Sequence, residues 1–171
     1  GYNDLNGLIP ELIESIEYRK GPYYAEDGDF SSAGAVDIRY QDRLDSDFYQ
    51  LTGGENGYAR GLIAASGKAG DGSWLAALDA GVYDGPWIEP ENERKLSVLS
   101  RLSGGDASRG YHLNFMLYDN RWDSSDQIPQ RAVDSGLISA FGQIDPTLGG
   151  ETSRTTLSGD FHTAFGPGHL I

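Results

Sequence analysis

The chain has 171 residues, 38% hydrophobic and 23% charged, which is a one-domain length with enough apolar material for an ordinary core. Its formal charge of -13 would repel a phosphate backbone, so nucleic acid is not an expected partner. Cysteine is absent, which excludes disulfides, thiolate metal sites and cysteine nucleophiles together.

Residues 1–7 are polar and glycine-rich, without the cationic patch and apolar run of a signal peptide, and read as the inside of a mature domain. No window approaches the roughly 20 consecutive apolar residues of a spanning helix, a limit that does not apply to a β-barrel. The 24 glycines and 10 tyrosines suit turns and strands better than helices, and the first part of the chain holds only a short helical turn around residues 10–14.

In chain order, the first signal is a tight turn at Gly21 and Pro22, because proline presets the turn and biases the preceding residue away from the helical region. A strand over residues 34–40 comes next, with Ala35, Asp37 and Arg39 alternating against Val36, Ile38 and Tyr40. Weaker strands are expected at 48–53 and 58–69. Over residues 73–83 one face is wholly apolar, carrying Trp74, Ala76, Leu78, Ala80 and Val82. Residues 95–103 place Leu96, Val98 and Leu102 together. The alternation is sharpest over 110–120, where Tyr111, Leu113, Phe115 and Leu117 oppose His112, Asn114, Met116, Tyr118 and Asn120. Residues 155–162 set Leu157 and Phe161 against Ser158, Asp160 and His162. Side chains alternate across a strand, so these are half-apolar strands, about six in all. Their connections alternate between short glycine-rich turns (70–72, 104–108) and long loops (86–93, 123–151), the asymmetry of an outer-membrane barrel.

Ile16, Glu17, Arg19, Gly21 and Pro22, then Gly28, Gly34, Val36 and Ile38, resemble the end of the plug domain of TonB-dependent outer-membrane receptors. There a short strand runs into an Arg-x-Gly-Pro-like turn, a glycine-containing loop and a final Gly-x-Val-x-Ile strand. The strand order after Tyr40 is similar to that of the early receptor barrel, and residues 118–132 look like the segment after the fifth strand in one branch of the family.

The resemblance implies an all-β fold: an antiparallel up-and-down meander of about six strands, forming an incomplete arc of a transmembrane β-barrel of about 22 strands, preceded by the tail of a plug. Residues 1–40 would be plug and 41–47 a linker. Residues 48–165 would be barrel, with extracellular loops at 86–93 and 123–151, and 166–171 a truncated tail. It further implies the outer membrane of a Gram-negative bacterium, with membrane lipid as one partner. The function would be uptake of a scarce small-molecule ligand such as siderophore-bound iron, cobalamin or an oligosaccharide. Energy would come from the TonB–ExbB–ExbD complex through a segment upstream of Gly1. Six strands cannot close at that radius, so the chain reads as a fragment not competent for transport alone.

Arg19, Gly21, Pro22 and Gly34 are architectural in this reading. Candidate ligand-binding residues lie beside the long loops: Trp87 and Trp122, whose indoles stack on ligands or anchor at an interface; Arg121 and Arg131, suited to gripping a carboxylate or an anionic siderophore, or else paired with nearby aspartates; and Asp123 and Asp126. Asp119, Asn120, Asp123, Asp126 and Asp134 form an oxygen-rich run without the order of an EF-hand, read first as a solvated acidic loop, with a calcium site as the other reading. His112, His162 and His169 lack zinc-type spacing, and His169 falls in a glycine-proline tail expected to be disordered. Acid pairs such as Glu26 with Asp27 or Glu89 with Glu91 are commonplace in so acidic a chain. No cofactor or metal site is expected, and without a Gly-x-Ser-x-Gly, His-Glu-x-x-His or phosphate-loop motif the chain does not read as an enzyme.

A soluble secreted β-sandwich that binds carbohydrate is the alternative. The two differ over Trp74, Leu78, Val82, Leu96, Val98, Leu113, Phe115 and Leu117, which face lipid in the receptor and a second sheet in the sandwich.

Overall fold

The computed structural model describes residues 4–21, 23, 33–106, 108–165 and 168–170. Pro22, Gly28, Glu26 and Asp27 lie outside the described residues. The fold is all-β, with antiparallel strands in two sheets. A short 3-10 turn, Pro10–Leu12, leads into the hairpin β1 (Ile13–Lys20) and β2 (Gly34–Tyr40). The second sheet is a meander of β3 (Phe48–Gly53), β4 (Ala59–Ala69), β5 (Gly72–Tyr83), β6 (Glu93–Gly105), β7 (Arg109–Asp123) and β8 (Gly149–Phe165), each paired with its sequence neighbour. No described helix is long and apolar enough to cross a membrane, which says nothing of crossing by strands.

In the β1–β2 hairpin, Ile16 faces Ile38 and Tyr18 faces Val36. Gly21, at φ +87°, donates its N–H to the Ala33 carbonyl at 3.0 Å and so closes the described ladder. Gly34 sits at φ +145°, and a Cβ there would run into the Arg19 carbonyl oxygen, so both its conformation and its space select glycine.

The meander has two unlike faces. On the open face, Trp74, Leu78, Val82 and Leu113 are 37%, 43%, 44% and 44% exposed, beside Leu96, Leu102, Tyr111 and Phe115. Cross-strand register makes this face continuous: Trp74 pairs with Leu102, Leu102 with Leu113, Phe115 with Leu157, and Tyr111 with Phe161. Among the described residues no second sheet is stacked on it.

The other face is covered by the chain's own beginning. Ile9, Leu12, Tyr40 and Leu44 pack on Leu62, Ala64, Leu75, Ala77 and Leu99 to form the buried core. Residues 41–47 are tied along the short-turn end, where Arg101 holds Asp42 at 2.7 Å, the Leu44 N–H donates to Ser66 Oγ at 2.9 Å, and the Ser66 N–H donates to Asp47 Oδ1 at 2.9 Å. The linker is thus docked on the covered face by these three contacts.

Several strands outrun their sequence-predicted bounds. β8 begins at Gly149 instead of 155, since Gly149, Gly150 and Glu151 continue the ladder opposite Asp123, Trp122 and Arg121. Cross-strand pairing overrides the poor strand propensity of those glycines. The tail expected to be disordered contains β9 (Gly168–Leu170), in which His169 pairs with Ala164. The long loop holds a helical turn, α1 (Gln130–Asp134), which the strand alternation gives no reason to expect.

Candidate functional site

The meander has short connections at one end and long ones at the other. The β4–β5 and β6–β7 turns lie at the short end, while residues 54–58, 84–92 and 124–148 gather at the long end. Backbone hydrogen bonds knit these long-end segments together: Asp84 N–H to Asn56 O at 3.0 Å, Glu91 N–H to Asp84 O at 2.7 Å, Asp123 N–H to Glu91 O at 2.7 Å, and Ile88 N–H to Phe141 O at 3.0 Å. The Trp87 and Phe141 rings, with centroids 6.3 Å apart, add a side-chain contact between the two longest loops.

Beneath this cap, on the covered face, the N-terminal segment lies back across β6 and β7 and borders an open pocket of about 260 Å³. Asp4 and Asn6 supply one wall, Glu91 and Glu93 another, and Asn120, Trp122 and Ser124 the rest. The carboxylates are held in place: Trp87 Nε1 donates to Glu91 Oε1 at 2.7 Å, and Asn120 Nδ2 donates to Glu93 Oε1 at 3.0 Å. Asp123 braces the same loop by accepting from Asn92 Nδ2 at 2.8 Å. The Trp122 ring lies over Gly150, where a Cβ would come within 2.6 Å of it, so a glycine opposite is what lets the indole lie flat against the sheet.

The charged residues lining this pocket are acidic, while Arg60 and Lys95 line the adjoining pocket with Asn6 and Glu93. Among the described residues no Lys, Arg or His pairs with Asp4, Glu91 or Glu93. Asn120 is only 5% exposed, and its Oδ1 has no hydrogen-bond partner. The neighbouring Tyr118 hydroxyl is likewise buried, and its side chain interacts with Asn120 and Asp4.

Of the sequence-predicted binding residues, Trp87, Trp122 and Asp123 converge here, Trp122 in the wall and the other two by holding Glu91 and its loop. The rest do not. Arg121 shares the strand parity of Phe115 and Leu117 on the opposite face, Asp126 accepts from the adjacent Gln127 N–H at 2.6 Å, and Arg131 is exposed on α1. Neither arginine forms an ion pair among the described residues, so the expected pairing with loop aspartates is not made. The oxygen-rich run is also dispersed: Asp119 and Asn120 point to opposite faces, and Asp134 accepts from Gln130 Nε2 at 2.9 Å. Among the described residues no three acidic or histidine side chains stand close enough to hold a metal ion.

Below the cavity runs an ionic cluster. Arg60 Nη1 and Nη2 donate to Glu11 Oε1 and Oε2 at 2.6 and 3.0 Å, and Arg60 Nε and Nη2 donate to Asp79 Oδ1 and Oδ2 at 2.8 and 3.1 Å. Lys95 stands 3.6 Å from the same aspartate, which is wholly buried. The Arg60 hydrogen bonds hold the Glu11 carboxyl below its ordinary value, against the opposing effect of burial. At the short-turn end a wider groove of about 610 Å³ includes Asp42, His112 and His162. Its histidines are engaged, His112 Nδ1 with Asp160 at 3.0 Å and His162 Nε2 with the Asp106 carbonyl at 2.9 Å.

Comparison with known protein families, with curated proteins and with solved structures returns no match to this chain.

Proposed function

We propose that this chain supplies the plug tail and the first wall strands of a TonB-dependent outer-membrane receptor. In this reading the open face of the meander meets outer-membrane lipid, the covered face lines the lumen, and the long loops lie outside the cell. The receptor takes up a scarce ligand of the siderophore, cobalamin or oligosaccharide kind, with energy from TonB–ExbB–ExbD, and this part does not transport by itself. Among the described residues the β3 edge and most of the β8 edge pair with no further strand, and additional wall strands would satisfy their backbone groups.

The observation that carries the reading is the continuous exposed apolar face from Trp74 to Phe161, opposite a face that holds the covered core together with the buried polar residues Asp79, Ser97, Ser103 and Asn120. A soluble domain rarely exposes so large a contiguous apolar patch, whereas a barrel wall requires one. Trp74, Tyr111 and Phe161 cluster toward the short-turn end of that face, where an aromatic girdle would lie.

The test is a cysteine at Leu113 or Phe115, labelled with a water-soluble maleimide after refolding with and without detergent. The proposal expects a chain that needs detergent to remain monomeric and a cysteine shielded by the micelle. A soluble monomer without detergent, with the cysteine fully protected, would reject the wall reading and favour a sandwich that buries this face.

A further inference from the structure

The apolar open face ends, at the long-loop side, in two arginines. Arg94 of β6 and Arg121 of β7 are direct cross-strand partners, both exposed, and they share the strand parities of Leu96 and Phe115. Like charges directly opposite one another destabilise a sheet. Glu151 stands opposite Arg121 in β8, and Asp119 lies two residues inward on the same face. Among the described residues neither carboxylate comes within ion-pair distance of either guanidinium.

A second feature adjoins the pair. Val82 is the cross-strand neighbour of Arg94, and from there a shallow depression of about 600 Å³ crosses β5, β4 and β3 over Ala80, Ala59 and Gly61 to Leu51. Arg94 closes its long-loop end, while Arg60 and Lys95 border it from the covered side, where both hold Asp79. We infer that Arg94 and Arg121 seat the anionic phosphate headgroup of a membrane lipid, with an acyl chain of that lipid lying along the depression. Guanidinium groups grip phosphate through paired charge-assisted hydrogen bonds, and their long stems reach along an apolar surface toward the polar interface. An anion between them also relieves the repulsion of the cross-strand pair. The depression gives a lipid chain a contact that a free phosphate cannot use, and the chain's net charge of -13 disfavours a phosphate polymer. The inference rests on the reading of the open face as a membrane wall.

The experiment is native mass spectrometry of the refolded full chain in a neutral detergent, titrated with phosphatidic acid, with phosphatidylcholine and with inorganic phosphate. One phosphatidic acid retained in preference to the other two is expected. Arg94→Gln and Arg121→Gln should each weaken its binding about tenfold, the loss of one charge-assisted donor group. Arg109→Gln, which removes an arginine from the short-turn end of the same face, should leave it unchanged. An equal loss in Arg109→Gln would reduce the effect to general attraction and overturn the inference. Equal binding of phosphatidylcholine, or of inorganic phosphate, would overturn it too. In vesicles of phosphatidylcholine alone, Arg121→Gln should fold as stably as the parent; a loss there would show Arg121 paired with Glu151 instead of free for a lipid. Absence of phosphatidic acid binding in a preparation whose Leu113→Cys is micelle-shielded rejects the lipid site and leaves the wall reading standing. A soluble, detergent-free monomer with that cysteine protected rejects both.

Discussion

Arg60 meets Asp79 through two hydrogen bonds, at 2.8 and 3.1 Å, across the β4–β5 pair, with the carboxylate wholly buried and the same guanidinium holding Glu11. Among the described residues Asp79 has only Lys95, at 3.6 Å, as a second cation. Arg60→Ala should therefore cost about 3–5 kcal/mol, because it strands a buried charge. Arg60→Met combined with Asp79→Leu should recover most of that loss, since it removes the charge along with its partner. Denaturant midpoints in detergent measure both.

Acid should release the N-terminal segment. Glu11 has a folded pKa below its ordinary 4.5, chiefly through Arg60, so its stabilisation is complete above that value and is lost as pH falls through the lower folded one. The protection of the Leu12 N–H, which donates to Ile9 O at 3.1 Å, should fall below pH 4.5 once the intrinsic pH dependence of amide exchange is divided out. Glu11→Gln should exchange faster at neutral pH and lose most of that acid dependence.

A charge on the open face should be costly in a lipid environment. Leu78 lies in the middle of the apolar stripe of β5, and Leu78→Lys should destabilise the membrane-inserted form by about 2–4 kcal/mol. Arg94→Leu, opposite Val82 at the long-loop end of that stripe, should change stability little. Folding titrations in vesicles compare the two.

Replacing Gly150 should expel the Trp122 indole. A Cβ at that position would sit 2.6 Å from the ring, so Gly150→Val must move it off the sheet and alter the long-end cavity. With Trp74 and Trp87 replaced by Phe, the emission of Trp122 reports the change, and a shift toward the water-exposed value is expected.

The hairpin should be separable from the meander. Gly34→Ala places a side chain at φ +145° against the Arg19 carbonyl and should cost about 1–3 kcal/mol. Faster amide exchange in β1 and β2, with no change in β4 to β7, is the expected pattern.

The strands of the meander were legible because a sheet with one apolar face writes its period into the sequence, most plainly at Tyr111 to Leu117. The covered core was not. Ile9 and Leu12 sit in a segment without periodicity, and only tertiary packing tells that they meet Leu75 and Leu99. The same limit applied to the cavity. Trp87, Trp122 and Asp123 stood out beside long loops, and alternation already placed Asn120 on the polar side of β7. Asp4 and Glu93 gave no local sign, because their convergence depends on the beginning of the chain folding back over β6 and β7. Arg121 misled for the complementary reason: one step along the strand from Trp122 puts it on the other face.

The Gln41 N–H donates to the Leu12 carbonyl at 2.9 Å, so the chain leaves the covered face and returns to it at nearly the same point. Everything between is an excursion whose ends are already joined. Lengthening or shortening it changes a closure entropy that grows only with the logarithm of loop length, and leaves the register of the meander untouched. The hairpin is thereby a module: β1 and β2 can differ in length while the meander and the segment that covers it stay the same.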